Sequence, residues 1–175
     1  MERPSGHTLP EVVFVVAILA GLAGWGVPAF QRLSREASLS ASVNLFLQSV
    51  HLARNEAIKR NGVVSLCPSA DGGTCLAAGG WDRGWIAFVN LDRDSPAVRD
   101  LGEELLYAWP ARSRGTILAN RSTLSFRPQG QSGVTATVTF CDDRGSAAAR
   151  AVIISQTGRP RVSNRAAAGG PLACA

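Results

Sequence analysis

Residues 12–30 read VVFVVAILAGLAGWGVPAF, nineteen residues without a charge. Such a run is close to the length a helix needs to cross a bilayer, and by itself it also suits a generic signal anchor. It therefore divides the chain before any other feature is considered. A single carboxylate, Glu11, stands at its edge. A cleaved secretory signal is disfavoured on three counts. Arg3 is the only positive charge before the run, the run is long, and no small-x-small site leads into a polar start. Instead the apolar stretch flows into a second helical pattern.

That pattern occupies residues 31–60. Leu39, Val43, Phe46, Val50, Ala53 and Ala57 recur every three or four residues and form one apolar stripe. Arg32, Arg35, Glu36, Asn44, Arg54 and Lys59 lie off it, and Asn61-Gly62 supplies the stop. Joined to residues 12–30, this predicts a helix of about 50 residues, about 75 Å long at 1.5 Å per residue. Gly21, Gly24 and Gly26 crowd the segment before Pro28. Each glycine costs about 1 kcal/mol of helix stability and proline removes a hydrogen bond, so the helix is expected to kink or open there.

Beyond residue 62 the signals are those of strands. Short β-prone runs at 63–66, 85–89, 105–109, 116–119, 124–127, 135–140, 151–155 and 161–163 are separated by Gly, Pro, Asp and Asn clusters. One long helix followed only by strands means an α+β fold, with the helix stripe covering one antiparallel sheet, a meander. Four cysteines are present. Cys67 and Cys75 flank a turn-rich stretch and are placed to close a short loop, with Cys141 and Cys174 then tying the tail to the sheet. Four cysteines allow three pairings, and spacing alone does not choose. There is no C-x-x-C, and His7 and His51 lie far from the cysteines, so no metal centre is expected.

The charge is unevenly placed. Residues 1–110 carry 9 basic and 11 acidic groups, whereas residues 111–175 carry 9 arginines against Asp142 and Asp143. Lys59 is the only lysine. Arginine grips planar anions in two-pronged contacts, so the split points to an anionic partner for the last third of the chain. Within it, Thr157-Gly158-Arg159-Pro160-Arg161 has the composition of a strand-turn-strand junction. If residues 159–161 are extended, both guanidiniums leave on one face about 7 Å apart, close to the phosphate spacing along a DNA strand. Arg165 extends the row, with Arg127, Arg144 and Arg150 expected to join from neighbouring loops. Tail residues 164–173 are small and read as flexible. The alternative is a solvated basic face, or arginines that pair with acids on a neighbouring subunit. No aromatic residue interleaves the motif, so base stacking is not expected and contact would be to phosphate without sequence preference.

Catalytic chemistry finds little support. His51 has no accompanying nucleophile motif. Asn90, Asp92 and Asp94 alternate like the start of a calcium loop but lack its glycine and terminal glutamate at the required offsets. No phosphate loop or dinucleotide fingerprint occurs, so neither an enzyme nor a cofactor is expected.

Gly6-His7-Thr8-Leu9-Pro10-Glu11 followed by the apolar run resembles the class III leader of type IV pilins and pseudopilins. The resemblance implies cleavage after Gly6 by a prepilin peptidase and methylation of the new N-terminus at His7, where phenylalanine is usual. It implies roles in filament assembly for Glu11, five residues after the cut, and for Pro28. An unpaired carboxylate in lipid is costly, so Glu11 is expected to pair with the amino group of a neighbouring subunit. Further segments resemble the GspH/FimT branch of minor pilins: residues 52–61, 84–89, 124–130, 139–145 and 158–162. The implied fold is the type IV pilin fold, divided as leader 1–6, membrane and filament-core helix 7–30, amphipathic helix 31–61 and β-rich head 62–175. The implied setting is a bacterial inner membrane, crossed once with a periplasmic head, and then a pilus or pseudopilus built with other pilins. An oxidising periplasm suits disulfides. FimT-like pilins with a G-R-x-R motif near the C-terminus are implicated in binding DNA during natural transformation, and Gly158, Arg159 and Arg161 match that motif. A GspH-like structural pseudopilin of a type II secretion system, without nucleic acid, is the alternative.

Overall fold

The structure is a computed structural model that describes residues 8–77, 79–110 and 115–174. The expected cleavage site at Gly6 and His7 lies outside the described residues. The chain falls into two compact units, one ending at Ala37 and the other running from Ser38 to Ala175.

One helix, α1, spans Leu9–Arg60. Its start follows from three residues. Thr8 precedes the first turn, and its backbone N–H donates to Glu11 Oε2 at 3.4 Å. That is one half of a capping box, in which the acid three residues on reaches back to the cap. Pro10 falls in the first turn, where a missing N–H removes no helical hydrogen bond. The helix continues through Gly21, Gly24, Gly26 and Pro28, so the expected opening is not found in the single chain. In the first unit the described side chains up to Arg35 are exposed, and an apolar window there has a mean hydropathy of 2.2. Among the described residues α1 is the one helix long and apolar enough to cross a membrane.

In the second unit all six residues of the predicted stripe, Leu39 to Ala57, are buried. The helix ends as its last residues dictate. Asn61 takes a left-handed conformation at φ 48°, the Asn61 N–H donates to the Ile58 carbonyl and the Gly62 N–H to the Ala57 carbonyl. This paired closure satisfies carbonyls that would otherwise lack partners. It is Asn61, not Gly62, that adopts the left-handed turn. Arg60 then bridges Glu56 at 2.7 Å and Glu104 at 2.5 Å, tying the helix end to the loop before a strand.

The strands are β1 (Val64–Pro68), β2 (Gly84–Val89), β3 (Leu105–Pro110), β4 (Thr116–Ala119), β5 (Leu124–Phe126), β6 (Ala136–Cys141), β7 (Arg150–Ile154) and β8 (Pro160–Ser163). They correspond one for one to the eight expected runs, but they form two antiparallel sheets rather than one meander. The first has the order β3-β2-β1-β5 and the second β4-β6-β7-β8. The chain changes sheet between β3 and β4, and β5 crosses back to pair with β1, with Ser65 opposite Ser125 and their hydroxyls 2.7 Å apart.

Both sheets turn an apolar face to the helix stripe, as the two-residue alternation requires. Phe46 is the hub. Its ring meets Trp85 of the first sheet, Phe140 of the second and Trp81 of a short 3-10 turn edge-on, at centroid distances of 5.3, 5.6 and 5.6 Å. Each outer face carries its own small apolar cluster with one disulfide in it. Cys67–Cys75 lies with Ile86, Phe88 and Ala97, and Cys141–Cys174 with Ala149, Ala151, Ile153 and Leu172. The tail expected to be loose is thus folded back. Leu172 is buried, and the Ala166 N–H donates to the Gly170 carbonyl at 2.9 Å.

Candidate nucleic-acid interface

The Gly158 motif forms the turn between β7 and β8 and the start of β8, an edge strand. The Gly158 N–H donates to the Ser155 carbonyl at 2.8 Å and the Ser155 N–H to the Arg159 carbonyl at 3.1 Å. With Gly158 at φ +73°, this is a tight turn closed by a left-handed residue and a bulge, a common hairpin connection that favours glycine at that position. The Ser155 and Thr157 hydroxyls, 2.8 Å apart, brace it. Pro160 opens β8, a position where the absent N–H is tolerated.

This register fixes the arginines. Arg161 lies opposite Ile153 and therefore leaves on the outer face of the second sheet. Arg159 stands one residue before β8, two residues from Arg161, where alternation returns a side chain to the same face. Both side chains are exposed. Arg165 is also exposed, and its Nη1 is 3.4 Å from the Gly169 carbonyl in the tail turn.

Arg127 reaches the hairpin through its loop. Residues 127–135 link β5 of the first sheet to β6 of the second, and the loop is clamped on the turn. The Ser132 and Gly133 N–H groups donate to the Gln156 carbonyl at 3.2 and 3.3 Å, and the Ser132 hydroxyl to the Ser155 carbonyl at 2.9 Å. The Arg127 guanidinium lies over Gly133, about where a Cβ on that glycine would be 3.4 Å from Arg127 Cζ. It lines a groove of about 660 Å³ together with Arg93, Asp94, Ser125 and Gln129. Arg93 carries no sequence signal beyond its charge, and its place beside Arg127 was not expected.

Arg144 and Arg150 stand elsewhere. They flank the other end of β7, which spans about 13 Å. Arg144 is held by Asp142, with Nε and Nη2 at 2.9 and 2.6 Å from Oδ2. The hairpin thus gathers Gly158, Arg159, Arg161 and the Arg127 loop at one end. Arg165, two residues beyond Ser163, which lies opposite Ala151, does not extend the row there and stands at the opposite end with Arg144 and Arg150. Asp142-Asp143-Arg144-Gly145 forms the expected turn, its Gly145 N–H bonded to the Asp142 carbonyl at 3.0 Å.

The segment Asn90–Asp94 has a structural task. Asn90 Nδ2 donates to Ser65 Oγ and to Asp94 Oδ1, both at 3.0 Å, while the Val98 N–H donates to Asp94 Oδ2 at 2.8 Å. Its oxygens thus organise their own loop. Among the described residues no cluster of three His, Cys, Asp or Glu side chains could hold a metal ion. His51 is exposed on α1.

Residues 42–158 match the family described as type II transport protein GspH. Two crystal structures of the type IV minor pilin FimU from Pseudomonas aeruginosa share the fold. One is 18% identical, covers 71% of this chain and 91% of its own, and superposes with a TM-score of 0.51. The other is 20% identical, covers 83% and 98%, and has the same TM-score. No curated relative matches the sequence. The long helix with its two antiparallel sheets is the type IV pilin fold, the apolar N-terminal segment fits a pilin membrane anchor, and the chain belongs to the GspH family of minor pilins and pseudopilins.

Proposed function

We propose that this chain is a minor pilin of a type IV pilus that binds extracellular DNA through phosphate contacts, without sequence preference, for uptake in natural transformation. The observation that carries the reading is the exposed pair Arg159 and Arg161 at the start of one edge strand, with the Arg127 loop beside them. Guanidiniums two strand residues apart suit successive phosphates, and counterion release supplies the free energy. Weak single sites suffice when several subunits engage one DNA molecule.

On this reading the chain first spans the bacterial inner membrane with its head in the periplasm. Prepilin peptidase cuts after Gly6 and His7 becomes the methylated N-terminus. Glu11 then exchanges its capping contact for the amino group of a neighbouring pilin, and the Gly21–Pro28 segment opens in the filament. The family description favours a second reading, a structural pseudopilin of type II secretion with no nucleic acid.

The test is a titration of the full chain, in non-ionic detergent micelles, with duplex DNA at several salt concentrations. Three neutralised phosphates predict a slope of about −2.7 in log K against log salt. Binding should collapse in Arg159→Gln/Arg161→Gln. No binding at low salt would leave a filament-building subunit whose arginines face protein.

A further inference from the structure

We propose that Arg54, on the long helix, is the positioning residue of the arginine hairpin. For its functional readout the inference rests on the DNA-binding reading. Arg54 Nε donates to the Gly130 carbonyl at 2.8 Å, across 76 residues of sequence. Gly158 rests on that same carbonyl oxygen. A Cβ at 158 would lie 2.1 Å from it and 3.3 Å from Arg54 Nε. A Cβ at 130 would lie 3.0 Å from Arg54 Nε and 3.1 Å from its Nη2. Both glycines have φ +73°, so neither position readily accepts a side chain. One guanidinium, one carbonyl and one glycine Cα are therefore packed without spare room. The next residue along the chain is Arg159.

Three segments that resemble the same pilin branch, residues 52–61, 124–130 and 158–162, meet at this point. Turns and loops hold side chains less precisely than helices do, and a phosphate site needs its guanidiniums held in direction. Arg54 supplies the fixed reference because it projects from a helix whose neighbouring stripe residues, Val50, Ala53 and Ala57, are buried. A lysine would not replace it. The ammonium keeps the charge but has no rigid, planar Nε–H to aim at the carbonyl.

The experiment uses the full chain in detergent micelles as wild type, Arg54→Lys, Arg159→Gln/Arg161→Gln and the triple variant. Each is titrated with duplex DNA across salt, and backbone amide spectra are recorded without DNA. Arg54→Lys preserves net charge, so long-range attraction is unchanged. It is expected to lose about tenfold in affinity, the scale of one charge-assisted contact, and to flatten the salt slope by about 0.9, one phosphate. In the arginine-depleted background it should cause no further loss. The amides of Gly130, Gly158 and Arg159 should shift. Wild-type affinity in Arg54→Lys, or an equal loss in the depleted background, would overturn the inference while leaving DNA binding intact. If the wild type binds no DNA, or the double variant binds as well as wild type, the DNA reading fails. The amide spectra then decide alone, and unmoved Gly158 and Arg159 signals refute the positioning role. Arg54→Gln, read the same way, serves if the lysine variant does not fold.

Discussion

The Cα of Gly158 packs against the carbonyl oxygen of Gly130, leaving 2.1 Å between that oxygen and any Cβ added at 158. Gly145 offers the natural comparison, with φ +72° and nothing within 4 Å of its added Cβ. Gly145→Ala should therefore carry only the left-handed backbone cost, about 1–2 kcal/mol. Gly158→Ala should carry that cost and also push the hairpin off its support, for a loss of about 3 kcal/mol or more, in the range of strained backbone sites. Denaturant midpoints of the two variants check this, and equal losses would show that the close approach relaxes freely.

The cover on the outer face of the second sheet predicts unequal effects of the two disulfides. Cys141–Cys174 closes a loop of 33 residues and Cys67–Cys75 one of 8. Loop-closure entropy alone gives about 3.7 kcal/mol for the first and about 2.5 for the second. Losing the first also frees Leu172 from its cluster with Ala151 and Ile153. Cys141→Ser/Cys174→Ser should thus be the less stable variant, and trypsin should cut it faster at Arg165. Equal protection at Arg165 would mean that the tail is held without the bridge.

Much of this architecture is legible in the sequence because its causes are local. The stripe from Leu39 to Ala57 announces itself through helical spacing, and the eight described strands announce themselves through short apolar, aromatic or β-branched runs between turns. The split into two sheets is not legible. Leu124–Phe126 reads the same whether it joins β4 or crosses to β1, and the Ser65–Ser125 contact spans 60 residues. The arginine motif could be found from composition, but Arg54 could not. It lies beside the stripe like any solvated flank residue, and its partner is a backbone carbonyl, which leaves no mark in the side-chain pattern. Charge alone groups Arg144, Arg150 and Arg165 with this site, and the length of β7 and β8 separates them from it.

Phe46 should be the most sensitive core position. It is fully buried and meets three aromatic rings that belong to two sheets and a connecting turn. Phe46→Ala should cost about 3–5 kcal/mol. A typical domain has about 5–15 kcal/mol in total, so the head should be largely destabilised. Phe46→Leu should cost less and still separate Trp81 and Trp85 from their shared edge contact. Tryptophan fluorescence followed through chemical unfolding measures both effects. A loss below about 1 kcal/mol for the alanine variant would contradict the hub assignment.

The loop closed by Cys67 and Cys75 should depend on pH through Asp71. Its carboxylate accepts from the Thr74 hydroxyl at 2.7 Å, the Thr74 and Gly73 N–H groups at 2.8 Å and the Ser69 hydroxyl at 3.0 Å. These donors, the Thr74 hydroxyl foremost, hold its pKa well below the usual carboxylate range. A depressed folded-state pKa stabilises the fold above the unfolded value, about 3.9, and the contribution is lost as pH falls through the lower folded value. Asp71→Asn keeps one acceptor oxygen, but its amide nitrogen cannot accept the Thr74 hydroxyl. The variant should therefore melt below wild type at pH 7, and the gap should narrow steadily below about pH 4. A gap of the same size at pH 7 and at the acid limit of folding would mean that the shape of the side chain, and not its charge, organises the loop.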